Sequence, residues 1–387
     1  MKPGPVHLTT DEATCQSLAN GTAGAALLHI ERALTGAGDW RNAHELIRQA
    51  IAARIDSAPH TGLYYGAPAL VFMLHAAGTD GHPGYRSAAT TLDTYVLRSI
   101  RRRLTAAASR MERGHSTTFS EYDVFYGLTG LGALLLRRAP GSDTLADVLR
   151  YVIRLIEPRH EDGDELPGWW VDHDPDPLMP TPGGHANLGM AHGAAGLLAL
   201  LALATLRGCV VDGQHQALEY LTAWFDRWRQ ESADGPWWPQ WVTREDLRTS
   251  RPAQHGPGRP SWCYGAAGIA RAQQLAALAA GDPPRRQAAE EALAACLTGR
   301  QLRRITDAGL CHGMAGVYQS AYRAARDAQS TAIAQRLPAL AEALTRTAAE
   351  GDEAGLLTGV AGVGLALETT RHITPPRSGW DACLLIT

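Results

Sequence analysis

Two kinds of apolar pattern alternate along the chain. In one, apolar residues cover nearly the whole helical surface, as in Leu197-Leu198-Ala199-Leu200-Leu201; such a helix is buried on all sides. In the other, apolar positions recur at helical spacing with charges between them, over residues 42–55, 144–156, 215–229, 286–297 and 331–349. That is the pattern of a helix packed on one face. Pro338 lies inside the last of these and predicts a kink or break there. A lead-in helix is expected to begin near Asp11.

The all-apolar runs share an opening. A Gly-x-x-Gly step follows a short apolar or aromatic lead-in at Gly21, Gly127, Gly193, Gly265, Gly313 and Gly359, and a degenerate copy at Gly66 has Ala69 in place of the second glycine. The first glycines are 45, 61, 66, 72, 48 and 46 residues apart, which fits one helical hairpin per unit with loops of varying length. An open solenoid fits the same period, but helices apolar all round favour a closed double ring with these helices inside. The reading is therefore all-α: an α/α toroid of seven helical hairpins, with residues 1–387 as a single domain.

In such a ring, offset from the first glycine is position relative to the central axis. Cys263 and Cys311 each stand two residues before it, and His312 and His192 one before it. Asp123 stands four before Gly127 and Arg259 six before Gly265. All are expected at one mouth, where the inner helices begin. Two cysteines and a histidine are preferred zinc ligands, and three ligands leave a fourth position open for chemistry. Cys263 and Cys311 are 48 residues apart, which is no zinc-finger spacing, so the fold must bring them together. One zinc per chain is expected.

Composition narrows the setting. The 36 basic and 39 acidic residues leave a net charge of −3, which gives no footprint for nucleic acid. Arg101-Arg102-Arg103 reads as a solvated helix end. Residues 1–5 carry no apolar export signal, and the run 193–206 is too short to span a bilayer, so neither export nor membrane insertion is expected. Six cysteines, two of them assigned to metal, point to a reducing, cytoplasmic setting. Cys15, Cys209, Cys296 and Cys383 read as buried apolar thiols. The proline- and glycine-rich stretches 158–185 and 232–260 precede His192 and Cys263 and are expected to frame the mouth. Asp172, Asp174 and Asp176 lack the EF-hand glycine and terminal glutamate, and read as a solvated turn.

Trp262-Cys263-Tyr264-Gly265, Cys311-His312-Gly313, the run Asn187 to Gly193, Tyr122-Asp123 and the Trp380-Asp381 tail together resemble the lanthionine synthetase C-like family, the LanC cyclases, over essentially the full length. The resemblance implies an α/α toroid and zinc on Cys263, Cys311 and His312. It also implies a catalytic His192, an essential Asp123, and supporting roles for Arg259 and Tyr264. The implied reaction adds cysteine thiolates to dehydroalanine or dehydrobutyrine in a dehydrated precursor peptide, forming thioether rings, with a lanthipeptide dehydratase as partner. In that chemistry His192 is the candidate proton donor to the α-carbon, Asp123 orients it, and Arg259 keeps Asp123 ionised. Two rival readings stand beside it: a LanC-like thiol or glutathione binder without cyclase activity, and a prenyltransferase-like enzyme alkylating a zinc-bound thiolate. The second needs a basic diphosphate pocket.

Overall fold

The computed structural model describes residues 8–387 apart from 80–82, 177, 349–353 and 373. Residues 1–5, Pro177 and Ala349, on which the readings above touched, lie outside the described residues.

Seven inner helices span Thr22–Thr35, Ala67–Ala77, Leu128–Arg138, Ala194–Leu206, Ala266–Ala280, Met314–Asp327 and Val360–His372. Each packs on the next, and the seventh packs on the first, so the ring closes. In the fourth, every residue from Ala194 to Ala204 is buried, as its all-apolar sequence requires. The outer layer holds Trp40–Ala50, Pro83–Glu112, Asp143–Leu155, Gln214–Trp228, Pro283–Cys296 and Leu337–Thr347. Pro338 is at the start of the last of these, directly behind a 3-10 turn at Ala334–Arg336, so the break falls at the helix entrance. The fold is an α/α toroid. The lead-in helix spans Thr10–Cys15 and is closed by a capping box between Thr9 and Glu12.

The glycine repeat has a steric cause. A Cβ on Gly24, Gly130, Gly268, Gly316 or Gly362 would lie 1.9–2.0 Å from the carbonyl oxygen of the residue six positions earlier, and on Gly196 2.5 Å. Only a hydrogen fits there. The N–H groups of Gly24, Gly130, Gly268, Gly316 and Gly362 donate to the carbonyl seven positions earlier, which folds the lead-in back over the helix start. Where the second unit has Ala69, the entry changes: Gly66 takes φ +72°, a conformation L residues rarely adopt.

The lead-ins are tied to one another in turn. Val124 N–H donates to the carbonyl of Ala191, Ala191 to Cys263, Cys263 to Cys311, Cys311 to Leu357, and Leu357 to Ala19. This belt of backbone hydrogen bonds forms the lip of the mouth. The inner helices there begin at Gly21, Gly127, Gly193, Gly265 and Gly313 with no side-chain cap, whereas the outer helices at Asp39, Ser142 and Asp282 are capped by those side chains. Uncapped N–H groups give the mouth a positive potential.

The seventh unit ends differently from the others. After His372 no outer helix follows among the described residues, and the tail enters the ring, with Trp380, Cys383, Leu384, Leu385 and Ile386 buried. Asp381 is paired there with Arg323 (2.6 and 2.7 Å) and accepts from Gln319. Arg271 donates to the Ile386 carbonyl. At the lip end of the plug, the Trp262 indole donates to the Leu384 carbonyl at 2.9 Å and the Tyr64 hydroxyl to the Cys383 carbonyl at 3.0 Å.

Two smaller readings change. Arg101-Arg102-Arg103 is inside the 30-residue helix Pro83–Glu112 rather than at a helix end; Arg101 and Arg102 are exposed, but Arg103 turns inward and donates to the carbonyls of Thr61 and Ser120. Cys296 and Cys383 are buried, whereas Cys15 and Cys209 are half-exposed. The Cys209 thiol donates to the Pro140 carbonyl. Among the described residues no helix is long and apolar enough to cross a membrane.

Candidate functional site

Cys263, Cys311 and His312 meet at the lip, with one ligand atom from each within 4.8 Å of the others. The backbone bond from Cys263 to Cys311 brings the two cysteines side by side (3.1 Å). Cys263 is buried; Cys311 is half-buried on the cleft side. Hydrogen bonds from Cys311, then from His312 and Ser261, hold the Cys263 thiol well below the usual thiol range against the opposing effect of burial. The contact with Cys263 in turn pushes Cys311 up, and it raises His312. The cluster therefore favours a thiolate on Cys263, between a second sulfur and an imidazole. That donor set and its closeness fit a zinc ion. Asp307 lies 3.5 Å from Nε2 of His312, where a carboxylate orients a ligating imidazole.

His192 is on the neighbouring stretch of lip, its own backbone adjoining the Ala191-to-Cys263 bond. Its Nδ1 is 2.6 Å from Oδ2 of Asp123. The other oxygen, Oδ1, accepts from the backbone N–H groups of Tyr126 (2.6 Å) and Gly127 (2.8 Å). Asp123 is thus fully buried and fixed by the start of the third inner helix, and a carboxylate oxygen facing Nδ1 makes that nitrogen the donor of the pair. Nε2 is left with no hydrogen-bond partner among the described residues. Phe119 stacks on the imidazole at 4.8 Å, Phe125 meets it edge-on at 4.9 Å, and Tyr264 tilts over it at 5.9 Å. The Tyr122 hydroxyl donates to the His192 carbonyl. Burial first, then the neighbouring cysteines, raise the Tyr264 phenol, so it stays protonated.

The Arg259 side chain is exposed, and its charge acts on Cys311 and His312. Arg103, from the helix Pro83–Glu112, is coupled to Asp123. The sequence reading also passed over Asp307, Phe119, Phe125 and His185. Asp307 was within reach of the register argument, since it precedes Gly313 by six residues as Arg259 precedes Gly265.

The two long loops meet over this region. Ala186–Asn187 pairs with Trp241–Val242, and Arg244 joins Glu161 and Asp164 of the hairpin Arg159–Glu161/Asp164–Leu166. His173 from the first loop accepts from the Phe119 N–H at 3.3 Å and meets the Phe119 ring. Asp172, Asp174 and Asp176 are exposed; Asp174 accepts from the Thr181 N–H and Asp176 from the Leu178 N–H, so these two acidic side chains brace their own turn.

The family profile for "Lanthionine synthetase C-like protein" matches residues 12–385. The chain belongs to that family. Among curated proteins it is similar to the "Nisin biosynthesis protein NisC" of Lactococcus lactis subsp. lactis, at 23% identity over 263 residues. That alignment covers 66% of this chain and 60% of the relative. Among solved structures it matches "Nisin cyclase" with a TM-score of 0.81 and 19% identity, over 96% of this chain and 92% of the other. The likeness in structure covers the whole ring, so this LanC-like chain has the fold of that enzyme.

Proposed function

We propose that this LanC-like protein is a zinc-dependent lanthipeptide cyclase. It joins a cysteine of a dehydrated precursor peptide to a dehydroalanine or dehydrobutyrine and closes a (methyl)lanthionine ring. The observation that carries the reading is the pairing, along one lip, of the Cys263/Cys311/His312 cluster with a carboxylate-held histidine in the adjacent unit.

Zinc held by Cys263, Cys311 and His312 would supply activation of the substrate thiol, because a coordinating thiol loses its proton outright. Nε2 of His192 accepts that proton, and Asp123 stabilises the imidazolium. As the sulfur bonds to the β-carbon, the double-bond pair moves onto the α-carbon and its carbonyl. His192 then returns the proton to the α-carbon. One S–H and one C=C are consumed, one C–S and one C–H are formed, and nothing is oxidised. The uncapped inner-helix starts favour the developing anion, Tyr264 offers a protonated hydroxyl, and Phe119 and Phe125 hold the imidazole plane. Arg259 is exposed, and its charge acts on Cys311 and His312, which supports the cluster from the solvent side. A dehydrated substrate requires a dehydratase acting beforehand, and six free cysteines suit a reducing cytoplasm.

Among the described residues no charged side chain lines the cavity next to Cys311, which argues against a diphosphate donor. The test is incubation with a peptide holding free cysteines and dehydro-residues. Addition leaves mass unchanged, so the readout is the number of thiols still open to alkylation, then fragmentation, which stops inside rings. Protection of no thiol across several dehydrated precursors would leave a thiol or glutathione binder instead.

A further inference from the structure

A cavity of about 500 Å³ opens beside the metal-ligand cluster and shares Cys311 with it. Its other walls include Ala13, Ala19 and Tyr64 from the lead-in and the first two units, and Phe125 and Tyr126 from the third. Phe125 is the partition. One side of its ring meets His192 at 4.9 Å, and its edge contact with Tyr64 is also at 4.9 Å. Tyr64 is nearly fully buried, and its hydroxyl is anchored to the Cys383 carbonyl of the tail plug. The wall is therefore built before any ligand arrives. Among the described residues no charged side chain lines the cavity, burial pushes the Tyr64 phenol well up, and the small residues Ala13 and Ala19 leave the space unfilled. Tyr126, half-exposed, stands at the rim.

We infer that this cavity is a specificity pocket that receives the uncharged apolar or aromatic residue next to the reacting cysteine of the substrate peptide. The inference rests on the cyclase reading for the identity of the substrate. The reason is continuity: a thiol held at the Cys311 edge of the cluster has its own peptide neighbours within one residue's reach of the cavity. The volume is that of a ligand pocket, about 300–1,000 Å³, and such pockets are lined by apolar and aromatic groups. Aromatic walls with no charge favour burial of an apolar side chain and penalise a charged one, which would lose water without gaining a partner.

The test uses the zinc-loaded full chain and four capped tripeptides that contain a thiol and no dehydro-residue: Gly-Cys-Gly, Phe-Cys-Gly, Gly-Cys-Phe and Asp-Cys-Gly. Binding is followed by titration calorimetry. At least one phenylalanine peptide is expected to bind about tenfold or more tightly than Gly-Cys-Gly, the gain from burying one aromatic side chain, and the aspartate peptide to gain nothing. Ala13→Phe should fill the cavity and reduce that preference to about twofold or less. Thr14→Trp, at an exposed lining position, is the second variant should the first fail to fold, as judged by its zinc content and melting. Equal binding of all four peptides, no binding at all, or a preference that survives in the folded filled variants overturns the pocket. Failure of the two readings is separable: a phenylalanine preference without thiol protection on dehydrated peptides removes only the cyclase, and ring closure without any preference removes only the pocket.

Discussion

The N–H of Cys263 donates to the carbonyl of Cys311 at 3.1 Å, so the backbone itself sets the two cysteines side by side. Metal loading should therefore depend on side chains and leave the ring intact. Cys263→Ala, Cys311→Ala and His312→Ala are each expected to lose most of one zinc per chain by elemental analysis while keeping their helical circular dichroism. Cys15→Ala, Cys209→Ala, Cys296→Ala and Cys383→Ala should keep it. Full zinc in Cys311→Ala would falsify the assignment.

His192 is held by Asp123 and is not needed as a ligand. His192→Ala should retain zinc and close rings about two to four orders of magnitude more slowly, the range typical of a general acid or base. Near-wild-type protection of thiols by the zinc-loaded variant removes His192 from the proton path.

Asp123 has two tasks, one per oxygen. Asp123→Asn keeps an oxygen for the N–H groups of Tyr126 and Gly127 but loses the charge facing His192, so its melting temperature should stay close to wild type while ring closure falls. Asp123→Ala loses both tasks and should cost about 1 kcal/mol or more of stability in addition, as loss of a helix-start acceptor does. Chemical denaturation and the alkylation assay separate the two effects; equal stability of the two variants contradicts the split.

Asp381 is buried against Arg323 and Gln319. Asp381→Ala strands a largely buried guanidinium and is expected to cost about 3–5 kcal/mol in urea unfolding, as removal of one partner from a buried pair does. A cost under about 1 kcal/mol means that the tail does not hold the ring together.

Burial holds the imidazole of His185 down at about 4, from an ordinary 6.5. The unfolded chain takes up that proton as pH falls through 6.5, the folded chain only near 4, so between these values the unfolded state binds more protons. Stability is then lost as pH falls across that window. The difference between wild type and His185→Asn, measured on zinc-free protein from about pH 7 to pH 4, should shrink steadily toward acid. A difference independent of pH means that His185 titrates alike in both states.

The inner helices, the repeat and the register of Cys263, Cys311, His312, His192 and Asp123 were legible in the linear chain, whereas the outer helix Pro83–Glu112 was not. The reason is local: each second glycine is dictated by a carbonyl six residues before it, and burial on all sides by the composition of a single helix. Offsets within one unit therefore carry over to a position on the lip. What links different units was decided only by closure of the ring. Arg259 stands six residues before its glycine, but no offset of that kind encodes the coupling of Arg103, on an outer helix, to Asp123. The aromatic clamp of Phe119 on His192, the cavity beside Cys311 and the tail that reaches Trp262 join residues tens to hundreds of positions apart, and no period in the sequence encodes which surfaces meet once seven units share one axis.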